Sequence, residues 1–462
     1  MSVMIIKKVF QGKGMAGTIL RTSFTNFSML LITTLTSIIT ARMLGVEGKG
    51  ELSAILFWPT FISGLVGFGL PTSLIFNLKQ DSSRAPDYLR MSIWFQIPVS
   101  LVAGVIAWFG LPVWLGEYSA TAVRLAQVYT VLTIPMLLAV NLLSAIAQSM
   151  DKFNIYNGIR LNVPLFNVVG LIAIWLLGSL TLTTSTNVFL LTTLLVVIYA
   201  AVSLRPYLTL GNKGRTIDRS AAKPLFSYGL KVYGMELLGT LYNQFDKIII
   251  VALLTPRDFG LYSVVFALSR VFNTVQTAIS NVMFPKVTGM ENDKIIRLVA
   301  RAFRISMTVM AIVVIPSMII GRFMLGLLFG PQFLEASSTF YLLSIECIIG
   351  GGSWVLASSF NAMGRPDLVL IRQLIAISIT VGLFFVLAPM YGLFGLSLAL
   401  VIGAVVRLAI TLFQIPRVFK VPLRAIVYDK GDFTFMIQTV KQKISGKGDR
   451  PHENREKHSS NG

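Results

Sequence analysis

Stretches of roughly 20–30 mostly apolar residues follow one another along most of this chain, joined by short connections rich in lysine and arginine. No other feature limits the fold as strongly. Such a run is the length an α-helix needs to cross a bilayer core about 30 Å thick. Membrane barrels are instead built from segments of about ten residues with alternating polarity, and that pattern is absent. The sequence therefore predicts an all-α polytopic membrane protein. Twelve spans can be placed, at about 18–44, 50–77, 91–115, 122–148, 157–178, 186–204, 224–254, 259–284, 297–325, 336–362, 367–388 and 391–415. Several exceed what a perpendicular crossing requires, which predicts tilt or bending. Pro59, Pro98, Pro135 and Pro316 predict kinks.

The formal charge is +20. On a soluble protein it would suggest nucleic acid. On this one it reports the excess of lysine and arginine that marks cytoplasmic loops. With the N-terminus inside, 31 of the 40 basic residues fall on inner segments and five on outer loops and helix ends. This division predicts both termini on the cytoplasmic side and a chain partitioned as an N-terminal segment (1–17), a six-helix lobe (18–204), a basic linker (205–223), a second six-helix lobe (224–415) and a basic tail (416–462), partly disordered. Apolar residues after Val421 are expected on the membrane surface, and the last fifteen residues read as disordered. No removable signal peptide is expected, since no small-residue cleavage site follows Lys7, Lys8 and Lys13. One cysteine, Cys347, excludes a disulfide within the chain. Two histidines, both in the tail, and few clustered carboxylates predict no metal site and no cofactor. No nucleotide-binding "GxxxxGK[ST]" is present.

A weak internal repeat runs through the chain. Residues 37–58 ("SIITARMLGVEGKGELSAILFW") align without gaps on 247–268 ("KIIIVALLTPRDFGLYSVVFAL") at an offset of 210, which sets Gly50 on Gly260 and Ser53 on Ser263. Residues 142–153 align on 355–366 at an offset of 213. Offsets this similar predict a duplicated unit of six helices. Because six is even, the halves would be parallel repeats about an axis along the membrane normal.

Charged residues make up only 13% of the chain, about half the share in a soluble protein, so those inside spans carry information. An ionisable group at the centre of a membrane helix costs at least about 2.5–3.5 kcal/mol and usually faces a wet interior. Seven stand out: Lys231, Glu236, Asp246, Lys247, Arg270, Glu346 and Arg407, all in the second half. The first half offers uncharged polar groups, including Asn26, Gln96, Gln127 and Asn141. Asp246 and Lys247 are sequence neighbours, so they point about 100° apart and do not pair. Glu236, Asn243 and Lys247 share one helix face, and Asp246 shares another with Gly239 and Tyr242. The seventh span thus shows two polar stripes, as a cavity-lining helix would.

Plainer roles stand beside the functional ones. Lys231, Lys247 and Arg407 can snorkel to the headgroups. Asp246 and Arg270 can bridge neighbouring spans, and Glu346 can be a buried, protonated acid beside Gly350–Gly352. Candidate substrate-cavity residues are Asn26, Lys231, Glu236, Asn243, Lys247, Arg270 and Arg407. Cations supply charge-assisted hydrogen bonds to a diphosphate or acidic sugar. The candidates for ion coupling, with H+ or Na+, are Glu236 and Asp246, carboxylates whose burial would raise their proton affinity. The Arg42 and "GVEGKGE" region reads first as a tight connection made by Gly45, Gly48 and Gly50.

Three segments carry a family resemblance: "ARMLGVEGKGELSAILFWP" (41–59), "NQFDKIIIVALLTPRDFGLYSVVFALS" (243–269) and "NVMFPKV" (281–287). They resemble the O-antigen and capsule type of oligosaccharide flippase, in the multidrug/oligosaccharidyl-lipid/polysaccharide exporter superfamily. In layout the likeness covers roughly 10–415. It implies two six-helix lobes around a central cavity that opens alternately to each face. The implied cargo is an oligosaccharide on a polyprenyl diphosphate, carried across a bacterial cytoplasmic membrane without enzymatic chemistry. The implied partners are that lipid-linked substrate, the surrounding membrane lipids, and the polysaccharide polymerase and other assembly proteins; nucleic acid is not among them. The alternatives are a drug/cation antiporter of the same superfamily, a peptidoglycan lipid-precursor flippase, and, from another class, a membrane glycosyltransferase or polymerase. Short loops and the lack of acidic pairs count against the last.

Overall fold

The computed structural model describes residues 15–208, 222–273, 276, 287, 290–429 and 431–432. Among these every regular element is helical. In chain order they are α1 (Met15–Leu65), α2 (Leu70–Gln80), α3 (Ala85–Trp114), α4 (Ala120–Ser149), α5 (Phe153–Leu176), α6 (Leu182–Leu208), α7 (Ala222–Leu253), α8 (Pro256–Arg270), α9 (Asn292–Phe329), α10 (Ser337–Ala362), α11 (Pro366–Phe419) and α12 (Leu423–Val427). Eight helices among the described residues are long and apolar enough to cross a membrane. The helix α7 is long enough but is not one of them, and it is the element that carries Lys231, Glu236, Asp246 and Lys247.

Two helices are too long for one crossing. At 1.5 Å per residue, the 51 residues of α1 and the 54 of α11 would each run well past twice a bilayer core of about 30 Å. Both break at a glycine with positive φ, Gly45 (φ 70°) and Gly392 (φ 56°), a backbone state that costs glycine alone little. At the second break the chain folds back so tightly that a Cβ on Gly395 would lie 2.0 Å from the Leu387 carbonyl oxygen. At the first, the buried Lys49 ammonium donates to Thr40 Oγ1 at 2.9 Å, across the break. The helix α11 holds two of the spans expected from sequence, joined at Gly392, whereas α1 holds the first and only the start of the second; the span expected over 50–77 is interrupted at 66–69, where Gly69 has φ 66°, and resumes as α2. Pro98, Pro135 and Pro316 lie inside helices that run on through them, and Pro59 lies in the part of α1 that follows the break at Gly45.

The residues fall into two compact units. One runs to Val271 and adds Met318–Leu343 and Ile379–Leu400. Its core includes Leu70, Leu74, Leu78, Tyr88, Leu142, Ile146, Ile159, Val196 and Leu225. The other takes Phe272–Ser317, Ser344–Ser378 and the chain from Val401, around Ile295, Val299, Phe303, Val355, Phe360, Ile415 and Phe419.

Two charges assigned from sequence to the basic inner segments are interior groups of the second unit. Arg372 is 1% exposed and donates to the Ser353 carbonyl, Ser353 Oγ and Thr411 Oγ1 at 3.1, 2.8 and 2.8 Å. Arg304 pairs with Asp432, itself buried, and donates to the Ala425 carbonyl at 2.6 Å. The start of the tail is therefore docked, with Ile426 of α12 1% exposed in the core. Leu423, Val427 and Tyr428 are exposed. The basic linker beyond Leu208 and the tail beyond Asp432 lie outside the described residues, as does most of 281–287.

Candidate functional site

The site grows from a close helix crossing. A Cβ added to Gly50 would stand 1.7 Å from the Pro256 carbonyl oxygen, and one added to Gly260 would stand 1.9 Å from that of Val46. The two glycines are 210 residues apart, and so are the two carbonyls. The contact is thus reciprocal: the same patch of each repeat meets its counterpart, as at an isologous interface. Small residues let helix backbones approach this closely where lipid leaves no hydrophobic drive between helices. Neighbouring contacts hold the same end. Arg42, reaching the last carbonyls of α9, donates from Nε to Leu328 O at 2.7 Å, a favourable place for a cation. Arg257 pairs with Glu335 at 2.6 Å. Thr255 and Asp258 form a capping box that starts α8.

One turn in from each glycine comes a serine, Ser53 on α1 and Ser263 on α8. Together with Thr60 and with Gln244 and Lys247 of α7 they supply the polar lining of a cavity of about 300 Å³. Phe57, Phe259, Tyr262 and Phe266 supply its rings. The Lys247 ammonium donates to Gln244 Oε1 at 2.7 Å and stands 5.1 Å from the centre of the Phe266 ring. The ring holds the ammonium without neutralising it, an attraction of about 0.5–2 kcal/mol. The Arg270 guanidinium lies over the same ring at 4.6 Å. Asp246, 7% exposed, accepts a short hydrogen bond from the Tyr262 hydroxyl. Lys247 and Asp246 thus make separate contacts, as their angular separation on α7 predicts.

The other candidates are dispersed. Glu236, half-buried, accepts from Thr72 Oγ1 at 2.5 Å, beside a tight contact in which a Cβ on Gly64 would lie 2.6 Å from Thr240. Tyr233 donates to the Leu65 carbonyl at 2.6 Å, and Phe76 stacks on Tyr228 at 4.0 Å. Asn26, Lys231 and Asn243 are exposed. Arg407 lies in the second unit and pairs with buried Glu346 at 3.2 Å, next to Gly350. Sequence reasoning had not singled out Gln244, Thr60 or the four rings. A signal was available for three of the rings, because the repeat matches Ser53 to Ser263, and Phe57, Phe259 and Phe266 lie one turn from those serines on the same faces.

These features define a multi-pass α-helical membrane protein with a cation held among hydroxyls and aromatic rings in its interior. Residues 39–338 match the polysaccharide biosynthesis protein family, and the chain belongs to that family. This bears out the resemblance read from the sequence. The probable flippase AglR of Haloferax volcanii is 24% identical over 206 residues, 43% of this chain and 43% of that protein. The putative O-antigen transporter of Shigella flexneri is 20% identical over 282 residues, 60% of this chain and 66% of that one. The chain spans less than half the length of the first curated relatives it matches. Among solved structures, the lipid II flippase MurJ in an inward closed conformation superposes with a TM-score of 0.71 at 13% identity, covering 92% of this chain and 96% of that one. An inward-facing multidrug resistance MATE family transporter of the MOP superfamily gives 0.66 at 15%, covering 85% and 95%. The chain has the fold these transporters share.

Proposed function

We propose that the protein is a flippase that moves an oligosaccharide linked to a polyprenyl diphosphate across the cytoplasmic membrane, for cell-surface polysaccharide. Its halves, 18–204 and 224–415, would alternate access to a polar interior while the lipid tail stays in the bilayer. The observation that carries this reading is the cavity at Lys247. Its hydroxyls and amide suit sugar hydroxyls, its rings suit sugar faces, and its ammonium suits a phosphate or acidic sugar. Membership of a polysaccharide biosynthesis family and flippase relatives support it. A drug/cation antiporter of the same fold is less well served, because Lys247 repels an organic cation from that cavity.

Transport would be coupled to a proton or sodium gradient through Glu236 and Asp246. Both carboxylates have a hydroxyl donor, Thr72 and Tyr262, and neither needs a cation to hold it. The test is a proteoliposome assay with a label on the sugar of a lipid-linked oligosaccharide. Under an imposed gradient, wild type should move the sugar to the far leaflet. Lys247→Gln should slow it about tenfold, the equivalent of one charge-assisted hydrogen bond of about 1.4 kcal/mol. The Glu236→Gln, Asp246→Asn variant should lose the dependence on the gradient. Equal rates in all three would remove these residues from transport. Movement of lipophilic cations in place of the sugar would overturn the flippase reading.

A further inference from the structure

A second cavity, of about 430 Å³, lies away from Lys247 and is lined by Arg21, Asp151, Lys152, Asn154 and Tyr207 among others. We propose that it binds a phosphate group at the level of the lipid headgroups. The depth follows from counting. Arg21 stands at the start of the first span, Lys152 immediately before the fifth, and Tyr207 at the end of the sixth. Spans one to four return the chain to its starting face, and six spans do so again. All three side chains therefore reach the same membrane surface, whichever way the protein is oriented.

The charge follows from the contacts. Two cations from separate elements line the cavity. The Lys152 ammonium is held 4.5 Å from the centre of the Tyr207 ring, which fixes its place and leaves its charge uncancelled. The one carboxylate among the described lining residues, Asp151, has both oxygens 2.7 Å from Lys79 Nζ, so its charge is already balanced by a group outside the lining. The helix α5 begins at this cavity without a side-chain cap, which adds a positive end to the two cations. At headgroup depth the anion on offer is a phosphate. A carboxylate ligand would satisfy the same cations, but bilayers of ordinary phospholipid present phosphate at that level.

The phosphate has two possible sources, an anionic phospholipid or the polyprenyl carrier, and one experiment separates them. The full-length protein in detergent is titrated, by native mass spectrometry, with phosphatidylglycerol, phosphatidylcholine and a polyprenyl monophosphate. Wild type is compared with Arg21→Gln/Lys152→Gln and with the charge-keeping Arg21→Lys/Lys152→Arg. Tenfold weaker phosphatidylglycerol binding in the first variant alone, with phosphatidylcholine unchanged, supports a headgroup site. The same loss confined to polyprenyl phosphate supports a docking site for the carrier. All lipids binding alike to the three proteins would overturn the proposal. A melting temperature measured for each variant separates loss of the site from loss of the fold.

Discussion

Replacing Gly50 with alanine tests whether the two repeats close on each other through one reciprocal seam. The new Cβ would sit 1.7 Å from the Pro256 carbonyl oxygen, where ordinary contact begins at 3.4 Å. The obstacle is backbone, so no rotamer change relieves it, and α1 and α8 must separate by about 1.7 Å to restore ordinary packing. Overpacking of this kind costs about 1–3 kcal/mol; at about 2 kcal/mol the closed seam loses roughly a factor of 30 against any arrangement that parts it. Gly260→Ala meets the Val46 carbonyl in the same way, so the reciprocal geometry predicts an equal effect. It also predicts that the double variant costs little more than either single, because one separation relieves both clashes. Spin labels at Glu47 of α1 and Arg257 of α8, both exposed, would read the separation by pulsed distance measurements, and thermal unfolding in detergent would read the cost. Fully additive losses, or a Gly260→Ala protein indistinguishable from wild type, would refute the reasoning.

Three further outcomes follow from buried polar groups. Tyr262→Phe leaves the Asp246 carboxylate without its hydroxyl donor and should destabilise by about 1–3 kcal/mol; adding Asp246→Asn should recover part of that in the same melting assay, and no recovery would show that Tyr262 acts elsewhere. Asp432→Ala strands the buried side of Arg304 and frees α12, an expected loss of about 3 kcal/mol, whereas Asp429→Ala, at an exposed and longer contact, should change little. For the pair Glu346 and Arg407, the double variant Glu346→Gln/Arg407→Met should be less destabilised than the sum of the singles, since each single leaves one charge buried.

Much of the span pattern was legible because burial in lipid writes itself into runs of apolar residues, but the run over 50–77 breaks at Gly69 and the helix α7 carries too many polar groups to stand out as a crossing. Gly45 was read as part of a tight connection and is the break in α1. The angular separation of Asp246 and Lys247 was also legible, since it depends only on helix geometry. Their partners were not. Tyr262 and Phe266 look, in a sequence this rich in aromatics, like any residues facing lipid, and only the crossing of α1 with α8 turns them inward. Arg372 misled for a related reason. Sequence position placed it near a basic inner loop, but a nearby serine and threonine, Ser353 and Thr411, make a place for it inside the bundle. Helical period gives the face of a residue; it does not say which neighbouring helix that face meets. The repeat goes one step further, because it says that two faces are equivalent, and an equivalence can be met by contact.

The seam and the cavity are then parts of one arrangement. Ser53 lies three residues from Gly50 and Ser263 three from Gly260, so each cavity serine rides on the same helical turn that makes the crossing. A separation of the seam by about 1.7 Å cannot leave the cavity walls in place, because packed helices move as rigid elements. Lys247 is on a third helix, α7, and is held through Phe266 of α8. Parting α1 from α8 therefore widens the cavity on the α1 side while the cation stays with its ring. Opening the seam would therefore uncover the ammonium while its charge stays anchored to the Phe266 ring, which is what the proposed flippase cycle requires of it.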